Sequence, residues 1–405
     1  MNRKVSEREL EQLQENLEYS GGKLRVFLAD ILPEDIEIRH NMEDRMKELE
    51  NLVNTYGGVV IVKHIQNKSV PDYNTFIGEG RLDQIIEEMQ RENGNILILG
   101  NILKPKQIYA INEKLKPIGA KAWDRVDLIL KIFERNAKSK EAKLQIELAS
   151  IKHMGPRIFD MGMELGKQAG KGSGESNTEI MKRHLQRRLI NIKEELAHFE
   201  KVRAQHRQSR DRKGIKTVGV VGYTNAGKST LTNSLTKKGV LAEDKLFATL
   251  GTSVGKMFVE ASYDLNTGAY IPPKEILIND TIGFIRELPP ELIDAFKSTL
   301  EDSIEADLLL HVIDCSDPKL ENKIQVVEDI LEKIKANQKR IYVFNKMDFL
   351  SNDEFETEEN GEKKIYKNKK EYLTIKYSNL NPIFISASNK ENLDELKSKI
   401  IYNLG

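Results

Sequence analysis

The chain has 405 residues, 39% of them hydrophobic and 31% charged, with 63 Lys and Arg set against 63 Asp and Glu. That length accommodates two or three domains with cores of their own, and the balanced charge excludes a globally basic nucleic-acid coat. A single cysteine, Cys315, excludes an internal disulfide and a multi-thiolate metal centre, so its expected place is a core position at the end of a strand. The longest apolar stretches, such as 308–313, fall far short of the roughly 18 residues that cross a bilayer. No integral membrane segment is expected, and with no secretory apolar run at the start the expected location is cytoplasmic.

Residues 24–135 alternate short apolar runs with helical spacing. Strands are predicted over 24–31, 59–65 and 96–99, and helices over 42–52, 82–89 and 106–115. β-rich runs separated by helical stretches predict a small parallel α/β sheet. Over 138–153, Ala142, Ile146 and Ala149 trace one helix face; over 178–213, Ile180, Leu185, Leu189, Ile192, Leu196 and Phe199 trace another, with no Pro or Gly. These are predicted arms of a helical hairpin. The second arm is basic, with eleven Lys and Arg against five Asp and Glu, plus His184, His198 and His206. Between the arms, Gly155, Gly162, Gly166, Gly170, Gly172 and Gly174 predict a mobile loop, read either as a probe that enters a partner or as a plain linker.

Strands resume over 216–221, 276–279, 308–313, 341–344 and 382–385. The expected organisation is an N-terminal α/β domain over 1–135, a helical basic segment with a glycine-rich loop over 136–213, and a second α/β domain over 214–405. The polar stretch 351–380 reads as a surface insertion in the last of these.

The chemistry concentrates in the second α/β domain. After the strand comes Gly222-Tyr-Thr-Asn-Ala-Gly-Lys-Ser229, a match to G-x-x-x-x-G-K-S/T in the strand-loop-helix setting that pattern requires. Gly222, Tyr223, Thr224, Asn225, Ala226 and Gly227 would curl backbone amides around phosphate oxygens. Lys228 would bridge the β- and γ-phosphates, and Ser229 would hold Mg²⁺. Asp280, Thr281, Ile282 and Gly283 follow a predicted strand, where a carboxylate can hold Mg²⁺ through water and a glycine amide can face the γ-phosphate. Asn345, Lys346, Met347 and Asp348 follow another, and an aspartate there accepts the N1 and amino donors of guanine, a pair that adenine lacks. Ser386, Ala387 and Ser388 follow the last strand and can offer amides to the guanine O6. Four such motifs, ordered and each at the carboxyl end of a strand, predict a P-loop GTPase (Ras-like) α/β domain that binds GTP or GDP with Mg²⁺.

Between the first two motifs, Phe247, Ala248, Thr249, Leu250 and Gly251 form the candidate switch, with Thr249 the expected second Mg²⁺ ligand and Thr252 the alternative. Residue 284 is Phe where Ras-like enzymes place the glutamine that orients the attacking water. A phenyl ring cannot do so, whether or not it packs in a core, and slow intrinsic hydrolysis is expected. His311, inside an apolar run, is expected to be a core histidine.

These residues resemble the HflX family of ribosome-associated GTPases, in the wider group that includes Obg. In the GTPase domain the resemblance rests on 219–231, on Leu246-Phe-Ala-Thr-Leu250 and on Asp280-Thr-Ile-Gly-Phe-Ile-Arg-Glu-Leu-Pro-Pro-Glu-Leu292. Upstream it rests on Pro71-Asp-Tyr-Asn-Thr-Phe-Ile-Gly-Glu-Gly80, 124–133 and 143–148. The resemblance implies GTP hydrolysis, binding to the large ribosomal subunit and its RNA, and splitting or rescue of stalled or stressed ribosomes. It also implies Thr249 as the Mg²⁺ threonine. A monomer peripheral to ribosomes or membrane, with no DNA partner, is the expected state. The alternative is an RNA- or ribosome-binding factor that nucleotide merely orders. An ATP site in the N-terminal domain would need an unorthodox motif, since residues 1–213 hold no second G-x-x-x-x-G-K-S/T.

Overall fold

The computed structural model describes residues 24–32, 42–168, 174–236, 253–263, 270–271, 273–281, 283–286, 292, 305–359 and 362–404. The chain divides into two units, Met1–Lys131 and Ile132–Gly405.

The first unit is built around β1 (Arg25–Ile31), α1 (Met42–Tyr56), β2 (Val59–Gln66), α2 (Glu79–Arg91), β3 (Ile96–Leu99), α3 (Pro105–Leu115) and β4 (Lys121–Asp124). The strands lie in the order β2-β1-β3-β4, all parallel, so every link must cross over a face of the sheet. Central strands covered on both faces read as unbroken apolar runs, which is why Val26, Phe27 and Leu28 are fully buried. The edge strand β2 leaves Val59 and Ile65 exposed. Amphipathic spacing in α1 buries Met42, Met46, Leu49, Leu52 and Val53. α3 begins with Pro105, whose missing N–H is no loss at a helix start. Helix α4 (Arg125–Asn136) carries the chain across the division between units.

In the second unit, α5 (Lys140–Gln168) and α6 (Gly174–Arg212) run antiparallel. Arg188 grips Glu147 through two bonds of 2.6 and 2.7 Å, Lys140 meets Glu195 at 2.6 Å, and Arg203 pairs with Glu141. Leu144, Leu148 and Ile192 form the buried seam between the helices. The predicted mobile loop is corrected: α5 continues through Gly155, Gly162 and Gly166 to Gln168. Each interior glycine costs about 1 kcal/mol relative to alanine. The Met, Leu, Glu and Lys residues between them favour the helix and outweigh the glycines. Residues 169–173 of that loop lie outside the described residues.

The GTPase-like sheet follows: β5 (Lys216–Gly222), α7 (Lys228–Leu235), β6 (Ser253–Val259), a two-stranded ribbon of β7 (Ser262–Tyr263) and β8 (Tyr270–Ile271), β9 (Lys274–Asp280), β10 (Leu308–Asp314), α8 (Leu320–Lys333) and β11 (Arg340–Asn345). The chain then forms the hairpin β12 (Phe355–Glu359) and β13 (Glu362–Tyr366), α9 (Lys369–Lys376), β14 (Ile383–Phe384) and α10 (Leu393–Leu404). The order is β14-β11-β10-β5-β9-β6, parallel except for β6, which runs antiparallel to β9 at the edge. Val218, Val220, Leu310, Val312 and Val343 pack against Leu231, Leu396 and Ile400. Insertion 351–380 is less superficial than its polarity predicts: α9 buries Leu373 and, with Tyr377 just after it, joins a core with Phe344, Phe384 and Cys315. No described helix is long and apolar enough to cross a membrane.

Candidate functional site

β5 ends at Gly222, and the chain loops through 223–227 before α7 begins at Lys228. Tyr223 pairs with Phe284 at the root of the loop: Thr224 N donates to Phe284 O at 2.8 Å and Phe284 N donates to Gly222 O at 3.1 Å. Gly227 caps α7 at φ 91°, and a Cβ there would lie 2.2 Å from Asn345 Nδ2, so only glycine fits. Gly283 is equally confined, since a Cβ would stand 2.8 Å from both Lys228 Nζ and Thr224 Cγ2.

Lys228 is 7% exposed, and its Nζ donates to Tyr223 O at 2.8 Å. Burial pulls its pKa down to about 8; the Asp280 carboxylate opposes that shift and the Lys346 cation adds to it. The register pairs Val220 with Asp280, which sets this carboxylate beside the loop. Ser229 Oγ donates to Asp280 Oδ2 at 2.6 Å. A hydroxyl and a carboxylate oxygen so close together are hard donors of the kind Mg²⁺ takes.

Asn345 joins three segments. Its Nδ2 donates to Ala226 O at 2.8 Å, while its Oδ1 accepts from Ala387 N at 2.9 Å. Met347 N donates to Ile385 O at 3.1 Å, and Ser234 Oγ donates to Ala387 O at 2.8 Å. Lys346 adopts φ 65° and pairs with Asp314 Oδ2 at 2.8 Å. Asp348 is exposed on the short helical turn Met347–Phe349. Ser386 Oγ accepts from Asn389 N at 3.2 Å and lies 3.4 Å from Ser388 Oγ.

The structure thus gathers Gly222 to Ser229, Asp280, Gly283, Asn345 and Ala387 around one loop, with Thr281 turned away to donate to Val220 O at 2.7 Å. Phe247, Ala248, Thr249, Leu250, Gly251, Thr252 and Ile282 lie outside the described residues. Sequence reasoning missed Asp314, whose signal was available: it too ends a buried strand at its carboxyl end. Also missed was the role of the Tyr223 phenol, which accepts from Arg286 N at 2.9 Å. Phe284 is 1% exposed. His311 is buried with Nδ1 2.8 Å from Glu328 Oε1, and burial holds its pKa below the usual value. Cys315 is buried, donates to Asn345 O at 2.9 Å, and has its pKa pushed up by burial to about 12.

Three family models match the chain: one described as GTP-binding GTPase N-terminal over 43–134, one as GTP-binding GTPase Middle Region over 136–210, and one as 50S ribosome-binding GTPase over 217–346. GTPase HflX of Caldanaerobacter subterraneus subsp. tengcongensis is 37% identical over 390 residues, spanning 95% of this chain and 81% of that one. GTPase HflX of Methanocaldococcus jannaschii is 35% identical over 380 residues, spanning 92% of this chain and 86% of the relative. The crystal structure of SsGBP in complex with GDP is similar at a TM-score of 0.52 and 26% identity, covering 93% of this chain and 98% of the other.

Proposed function

The chain belongs to the HflX family of GTPases, and we propose that it holds Mg²⁺ and GTP among loops 222–229, 280–283, 345–348 and 386–388 and acts with them on the large ribosomal subunit. As a GTPase it converts GTP to GDP and phosphate. In the proposed site the amides of 224–229 and the start of α7 face the phosphates. Lys228 exchanges Tyr223 O for the β- and γ-phosphate oxygens, and Gly283 N–H faces the γ-phosphate. Ser229 and Thr249 would ligate Mg²⁺ directly and Asp280 through water, with Phe247, Ala248, Leu250 and Gly251 counted among the residues that would bind the nucleotide. Bound there, Mg²⁺ neutralises charge on the β- and γ-oxygens. Asp348 accepts the two guanine donors, and the 386–388 turn faces O6.

The observation that carries this reading is the Asn345 amide, which ties the phosphate loop at Ala226 to the base-side turn at Ala387. Ribosome binding is supported by the matched family description and by α6, which displays exposed Arg183, Arg187, Lys201 and Arg212. Exposed cations suit the phosphates of RNA. Splitting of stalled ribosomes is the finer form of the proposal, and a cytoplasmic location goes with it.

GTP turnover with and without purified large subunits, at several salt concentrations, tests it. Strong, salt-sensitive stimulation is expected; unchanged turnover together with no binding to the subunit would remove the ribosome from the reading. A second reading, favoured by the burial of Phe284, makes nucleotide chiefly an ordering ligand for RNA binding. Subunit binding that depends on nucleotide while turnover stays flat would select it.

A further inference from the structure

Tyr223 stands out because it is bonded on three sides at once. Its carbonyl accepts the Lys228 ammonium at 2.8 Å. Its hydroxyl accepts the Arg286 N–H at 2.9 Å. Its ring lies under Lys323 Nζ, 5.0 Å from the centroid. Lys323 in turn pairs with Asp317, which also accepts the Lys319 N–H at 2.9 Å. Burial works to raise the Asp317 pKa, yet the lysine, the amide and the nearby Arg286 cation together hold it below the usual carboxylate value. A cavity of about 80 Å³ opens between this loop and the start of α8, lined by Tyr223, Asn225, Asp314, Asp317 and Lys323.

The three bonds lead to three different places. The carbonyl senses the lysine that the proposed phosphates would claim. The hydroxyl fixes the backbone two residues beyond buried Phe284, in the segment where a Ras-like glutamine would otherwise orient water. The ring rests against α8. When phosphate draws Lys228 away, the Tyr223 carbonyl loses its charged donor while the hydroxyl keeps the 284–286 segment in register with the loop.

We propose that Tyr223 is a positioning residue for GTP hydrolysis, its phenol strapping residues 284–286 to the phosphate loop and its carbonyl reporting whether Lys228 is engaged. The inference rests on the nucleotide-site reading above and adds a device to it. It assigns Tyr223 no contact with the reacting atoms.

The test is Tyr223→Phe in the full chain, which keeps the ring, the carbonyl and the stacking with Lys323 and removes only the hydroxyl. One neutral hydrogen bond corresponds to roughly a fivefold change. Turnover is therefore expected to fall about fivefold with KM for GTP and affinity for GDP unchanged, and the amide of Arg286 should exchange with solvent faster. Unchanged turnover overturns the proposal, and so does an equal loss of affinity and turnover, which would make the phenol a binding group. Should the unsubstituted protein bind neither GTP nor GDP, the site reading itself fails, and that outcome is separate from any effect of the variant. A Lys323→Met variant controls for the ring: the strap predicts that it leaves Arg286 exchange slow, and fast exchange there would move the anchoring from the hydroxyl to α8 and overturn the assignment.

Discussion

The two α/β units place charge at the same end of their strands and use it in opposite ways. In the first, Asp30 at the end of β1 meets Arg45 at 3.4 Å, and Arg45 also donates to Gly100 O at 3.2 Å where β3 ends. Arg125, just past β4, pairs with Glu48, and both its side chain and those of Asp30 and Arg45 are nearly fully covered. In the second, Asp280 ends β9 beside the Ser229 hydroxyl, Lys228 rests on a backbone carbonyl, and Asp348 past β11 is exposed. A parallel sheet concentrates polar groups at its carboxyl edge. Where those groups pair among themselves they fix the fold, and where they rest on neutral oxygens a ligand can claim them.

That contrast breaks most sharply at Lys228. Lys228→Ala removes charge-assisted bonds to the β- and γ-phosphates and should weaken GTP binding by about 4 kcal/mol, roughly a thousandfold, and GDP binding, where only the β-phosphate bond is lost, by about 2 kcal/mol, with unchanged thermal unfolding; titration calorimetry beside a melting curve would show it. Asp30→Ala should do the converse, destabilising by about 3 kcal/mol because the Arg45 charge is left buried, with GDP affinity intact. If Asp30→Ala weakened nucleotide binding, the division of labour between the units would be wrong. Asp348→Asn should lower the preference for GDP over ADP by about 2 kcal/mol, since an amide cannot accept two donors as a carboxylate does. Retained strict guanine selectivity would sink the assignment of that loop.

The smallest effect follows from the Lys228 pKa of about 8. Phosphate favours the charged ammonium, so its pKa rises on binding, and above pH 8 binding takes up a proton. Affinity should then fall with rising pH by up to about 1.4 kcal/mol per unit, and calorimetry in two buffers of different ionisation heat would register the uptake. No proton uptake at pH 9 would contradict the depressed pKa.

The sequence disclosed whatever recurs with a period or a fixed spacing. Buried strands such as β10 declared themselves as apolar runs, and the loop from Gly222 to Ser229 by its glycines and lysine. β4 escaped because only Ala122 and Trp123 of its four residues are apolar and charged residues stand at both ends, whereas the equally short β3 is an unbroken apolar run. β6 escaped for another reason. As an antiparallel edge strand it alternates buried Met257 with exposed Val254 and Phe258, a half-apolar pattern that blends into loop composition. α5 was cut short because glycine content was weighed without the helix formers between. At the site, residue types were legible but their partners were not: nothing in the spacing says that Asn345 reaches both Ala226 and Ala387, or that the Tyr223 phenol meets the Arg286 amide. Such bonds join positions more than forty residues apart, and they exist only once the sheet order is set.

The Asn345 bridge also bears on how the two halves of a nucleotide assist each other. One amide side chain fixes the distance between the loop that would grip phosphate and the turn that would meet the base. A ligand carrying both groups at that distance docks its second end at high effective concentration, as a chelate does. Guanosine and pyrophosphate supplied as separate molecules should therefore occupy the site far less well together than GDP does alone, because neither can hand the other a prepaid orientation. Asn345→Ala would slacken that tether without removing any group assigned here to the nucleotide's phosphates.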